Sequence, residues 1–133
     1  MSDILSSASL LLAILTTVFG LVYPTLKEIL DLKVATHKAD NRANYKKALI
    51  IRKTRLLPLL LGSVILTLVF IPELIKQLVN TYHIITEKGF HFKDYDTVIA
   101  SFIVVSLFMI VLTIAIVIIT IEFFKKTKAL NPN

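Results

Sequence analysis

Apolar residues run almost without interruption over residues 98–124, VIASFIVVSLFMIVLTIAIVIITIEFF, with one charge, Glu122, near the end. A helix in water keeps a polar face, so a run of this length is no surface helix. Crossing a hydrocarbon core of ~30 Å takes about 20 apolar residues. Two earlier runs have the same character. Residues 4–23 carry no charge, and neither do residues 56–71, LLPLLLGSVILTLVFI. The second run continues helically through Leu74, Ile75, Leu78, Val79 and Tyr82, and so keeps one apolar face as it leaves the lipid. The pattern predicts an all-α integral membrane protein in one membrane domain covering residues 1–133. Its three transmembrane helices fall near residues 4–23, 56–75 and 98–124.

Residues 24–55 separate the first two spans. Thr25 and Glu28 have capping-box spacing, which would start a new helix after a break at Pro24. A kink at Pro24 within one long helix is the alternative. Leu26, Ile29, Leu30 and Val34 share a helical stripe in either case. The stretch HKADNRAN, residues 37–44, reads as a turn in which Asp40 and Asn41 cap and reverse the chain. A second helix starts near Ala43 and carries Tyr45, Leu49 and Ile50. The expectation is a helical hairpin, each arm extending roughly 20 Å from the bilayer. Pro58 marks the entry of the second span, as a first-turn proline or a kink, and Pro72 a bend near its exit. Residues 76–97 form an outer amphipathic helix and loop. Gly89 ends that helix and Asp96 caps the third.

Charge sets the orientation. Residues 24–55 hold nine Lys or Arg against three acids, and the tail adds Lys125, Lys126 and Lys128. Residues 73–97 hold three Lys against four acids. Positive residues stay in the cytoplasm, so the N-terminus is expected outside, with the hairpin and tail inside. A bacterial inner membrane is the expected location. The net charge of +6 therefore argues for topology and anionic phospholipid before nucleic acid. The aromatic interleaving of a nucleic-acid stacking surface is missing. There is no Cys, so neither a disulfide nor a thiolate site exists. MSDIL has no basic leader, and a cleaved signal peptide is not expected.

Small residues in the first span, Ser6, Ser9, Ala13, Thr16 and Gly20, are spaced three, four, three and four apart. Helices in lipid associate through such seams, within a chain or between copies. Ser106, Thr113 and Thr120 recur every seven residues in the third span. This hydroxyl stripe either packs between helices or lines a pore. Glu73 and Glu122 sit at span ends, three residues before Lys76 and Lys125. An interfacial ion pair is the plain reading of each, and an ion-selecting ring in an oligomer the functional one. Lys46, Lys47, Arg52, Lys53 and Arg55 form a basic arm for lipid headgroups or an acidic partner.

His83 and His91 lie on the outer side with Asp94 and Asp96, but their spacing matches no ligand motif, and no metal is expected. Three glycines exclude a phosphate-cradling loop, and no nucleophile has a base beside it. No cofactor and no enzyme activity are expected. Three spans, an outer N-terminus and a basic inner tail are together similar to the arrangement of class I phage holins. The long hairpin departs from the short loops of that family. Two functions stay open. One is a homo-oligomeric pore, channel or membrane-permeabilising effector of the holin or anti-phage kind. The other is an accessory, immunity or regulatory subunit that recruits a partner through its basic arm.

Overall fold

A computed structural model of the chain describes residues 2–89, 91, 93 and 95–132. All regular structure among them is helical, and three helices are long and apolar enough to cross a membrane. Helix α1 covers Ser2–Leu30, α2 Arg42–Ile51, α3 Leu57–Lys88 and α4 Thr97–Leu130. A 3-10 turn, Lys38–Asn41, leads into α2, and five residues with π-helical bonding, Arg52–Leu56, join α2 to α3.

Three apolar layers give the topology. In the far layer Ala8 meets Phe70, Leu74, Phe102 and Met109. In the middle layer Leu15 meets Leu59 and Ile116. In the arm layer Leu26 and Ile29 meet Ala48, Ile51, Leu56, Phe123 and Leu130. Helices α1 and α4 therefore run from the far end to the arm end and pack on each other, and α3 runs back antiparallel to both. The inward faces follow heptads. Leu5, Ala8, Leu12, Leu15, Phe19, Val22, Leu26 and Ile29 alternate steps of three and four on α1, all in the core clusters. A 3.5-residue repeat keeps one seam on its neighbours along the full length of a helix.

Several boundaries differ from the expectation in instructive ways. Helix α1 passes through Pro24 without a break and ends at Leu30. No second helix begins at Thr25, and Val34 lies beyond the helix, exposed. A proline costs its own N–H bond, but here the helix on both sides of it is held by packing. Asn41 stands at the N-cap position of α2, but its side chain makes no capping bond to the helix. Its buried amide closes the loop instead: Ala35 N–H donates to Oδ1 at 2.8 Å, and Nδ2 donates to the Ala35 carbonyl at 3.1 Å. Gly89 does end α3, with φ of +73°, a conformation glycine takes without strain. Asp96 caps α4 by accepting from Val98 N–H at 2.9 Å and Ile99 N–H at 3.4 Å.

The joint between α2 and α3 has a local cause. Pro58 has no N–H for the Thr54 carbonyl, and its ring crowds that turn. The turn widens, and Leu57 N–H donates to the Arg52 carbonyl, five residues back. The buried positions record this: Ala48, Ile51, Leu56, Leu59 and Ser63 step by three, five, three and four. Helical structure then runs unbroken from Arg42 to Lys88.

Candidate functional site

The hydroxyl stripe of α4 faces the inside of the protomer. Ser106, Thr113 and Thr120 are buried, and Thr127 extends the series. They alternate with Phe102, Met109, Ile116, Phe123 and Leu130, also buried. Large apolar and small hydroxyl side chains thus interdigitate along one heptad face. Thr113 joins α4 to α3: its Oγ1 lies 2.7 Å from Thr67 Oγ1 and donates to the Ser63 carbonyl at 3.3 Å. Thr120 and Thr127 donate to the carbonyls of Ile116 and Phe123 at 2.7 and 2.9 Å. Ser106 Oγ is buried with no partner. In this packing none of the three expected positions opens onto the outer surface.

The small-residue seam of α1 has the opposite placement. Ser6, Ala13, Thr16 and Gly20 are exposed and Ser9 half-buried. Each follows an inward residue (Leu5, Ala8, Leu12, Leu15 and Phe19) by one position, a turn of about 100° about the helix axis. The seam therefore runs beside the intrachain interface and outside it. A Cβ built at Gly20 meets nothing within 4 Å. The outer surface beyond is apolar, with Leu10, Ile14, Leu21, Leu68, Phe108 and Val111 exposed. The molecule is polar at points inside and apolar outside.

The basic arm is not a free extension. Helix α2 and the π segment pack on the ends of α1 and α4, and three of their cations reach partners there. Lys47 Nζ pairs with Glu28 at 2.7 Å, the one ion pair within 4.0 Å among the described residues. Arg55 donates to Thr25 Oγ1 at 3.2 Å, and the Arg52 guanidinium lies 5.0 Å from the Phe124 ring centroid. Lys46 and Lys53 remain exposed. The apolar stripe that would have sought a partner is covered by the chain itself at Leu26 and Ile29.

The acids also differ from the ion-pair expectation. Glu73 does not pair with Lys76. Its Oε1 accepts from Gln77 Nε2 at 2.7 Å, because Gln77 lies one turn on and inside the bundle. Glu122 is exposed and makes no ion pair with Lys125 or Lys126, pointing instead into a cleft between the arm-side ends of α1 and α4. Lys27 and Asp31 face it there. Sequence spacing along one helix carries no signal for this cleft. At the far end a cavity of about 220 Å³ lies between α3 and α4, lined by Thr81, Ile85, His91, Tyr95, Ile99 and Ile103 among others. Asp94 lies outside the described residues, and among the described residues no three His, Asp or Glu converge as metal ligands.

Compared with protein-family models, with curated proteins and with solved structures, the chain matches none.

Proposed function

We propose that the chain is an integral membrane protein that works as a homo-oligomer, assembled through the outward seam of α1 into a pore or membrane-permeabilising complex. The N-terminus lies outside, and α2 and the C-terminal tail lie in the cytoplasm, in a bacterial inner membrane. The observation that carries this reading is the division of labour on α1. One heptad face packs the protomer, and the adjacent face of small side chains is left without a partner. An exposed apolar belt around all three helices supports the membrane placement, since soluble monomers rarely leave contiguous apolar patches above a few hundred Å². Three helices packed on a filled core enclose no water path, so conduction needs several copies. The hydroxyls of α4 are buried within the protomer, which leaves the face of α1 to line any path.

The test uses Ala13→Leu and Gly20→Leu. Both positions are exposed, and Gly20 has open space around it, so the protomer itself accommodates the added side chains. Native mass in nanodiscs and conductance across planar bilayers are read together. The wild type should give several copies and a conductance. Each Leu variant should lose both while keeping its helical content. Assembly and conductance that survive both substitutions would remove α1 as the interface.

A further inference from the structure

Three cations of this chain collect beside its arm, in a cleft that the arm's own charges do not line. Lys47, Arg52 and Arg55 are engaged within the chain. Lys27, Lys125 and Lys126 instead line an open cleft of about 600 Å³ between the arm-side ends of α1 and α4. That size falls in the range of ~300–1,000 Å³ usual for ligand clefts. Asp31 and Glu122 share its walls, and Leu30, Val34 and Ala129 supply apolar surface. Among the described residues, none of the three ammonium groups has a carboxylate within 4.0 Å.

Depth along the bundle narrows the ligand. Tyr23 closes the uncharged stretch of α1, and Glu122 falls three positions before the apolar run of α4 ends. Both line the cleft. It opens where the apolar belt gives way to charge, at the level where tyrosine rings sit among headgroups. Three lysines there suit a phosphodiester. Two carboxylates in the same walls suit a group that donates hydrogen bonds next to that phosphate. Ethanolamine and glycerol headgroups carry such donors, N–H and O–H, and choline carries none.

We propose that this cleft seats the headgroup of a phospholipid from the adjoining leaflet, with its phosphodiester among Lys27, Lys125 and Lys126 and its amine or hydroxyl toward Glu122 and Asp31. The inference rests on the membrane placement above and is independent of assembly through α1. Incorporation into nanodiscs tests that placement, and retained lipid tests this site. A chain that stays out of the nanodisc sinks both.

The experiment is native mass spectrometry of the full chain released from nanodiscs of phosphatidylethanolamine, phosphatidylglycerol or phosphatidylcholine. The wild type should keep the first two lipids and lose the third. Lys27→Gln, Lys125→Gln and Lys126→Gln together should cut retention at least about fivefold, the factor one lysine contributes at an anionic surface. Lys33→Gln, Lys46→Gln and Lys53→Gln together remove the same charge from exposed sites outside the cleft, and should change retention less than about twofold. Equal loss in both triple variants would reduce the effect to general charge and overturn the site. Equal retention of phosphatidylcholine would overturn it as well, because the carboxylates would then select nothing. Displacement of the lipid by millimolar glycerol 3-phosphate would make the cleft a site for a soluble phosphate and overturn the lipid assignment.

Discussion

At the arm end four helical segments converge on one core, whereas past the far layer α3 runs on well beyond the starts of α1 and α4. Leu26, Ile29, Ala48, Ile51, Leu56, Phe123 and Leu130 come from α1, α2, the π segment and α4. Around them lie the Lys47–Glu28 pair, the Arg55–Thr25 bond and the Asn41 clamp on Ala35. The far end has no such closure. Helix α1 starts at Ser2, and α3 runs past Leu74 to Lys88, about 21 Å of further helix. There Ile75, Leu78, Val79 and Tyr82 form one exposed apolar stripe, and a cavity opens beside α4. One end is stitched from four segments in water-accessible chemistry, and the other relies on whatever surrounds it. Local stability should follow that division.

The largest expected effect is at the arm core. Phe123→Ala removes a fully buried ring and should cost about 3–5 kcal/mol, read from detergent titration of the unfolding transition. Asn41→Ala comes next. It leaves the Ala35 N–H and carbonyl without their partner and should cost about 1–3 kcal/mol. Hydrogen exchange at Ala35 should rise with it. The smallest effect belongs to the far end, where Leu78→Ala should change stability by less than about 0.5 kcal/mol. A cost at Leu78 as large as that at Phe123 would break the contrast, and would mean that the far stripe is buried against another chain.

The helices were legible because their signals are local. Apolar run length gave the three long helices, Gly89 the end of α3 and Asp96 the start of α4. The period of seven in Ser106, Thr113 and Thr120 was legible too, yet the sequence left open whether it faced in or out. The missing clue was present: Phe102, Met109, Ile116 and Phe123 repeat at seven on the same face. The hydroxyl stripe is interleaved with a large-residue stripe on one buried face, with Met109 and Ile116 standing between its hydroxyls. Thr67 and Ser63, which meet Thr113, share no motif with it, because they are joined only by the antiparallel register of α3 and α4. The cleft at Lys27 and Lys125 was illegible for the same reason. The arm misled because a cluster of like charges reads as a free surface. Which of those charges bend back to Glu28, Thr25 or Phe124 depends on tertiary contact.

The widened turn at Arg52–Leu56 behaves as a phase corrector. One residue added to a regular helix twists everything beyond it by about 100°. Here the surplus residue is absorbed on the spot, so Ile51 on one side and Leu56 on the other still address the same interior. Lys53 and Thr54, both exposed, can exchange identity at little expense. Deleting either one would shorten the step from Ile51 to Leu56 from five to four and let an ordinary helical turn keep the arm in register with α3, whereas adding one there would turn the arm by about 100°.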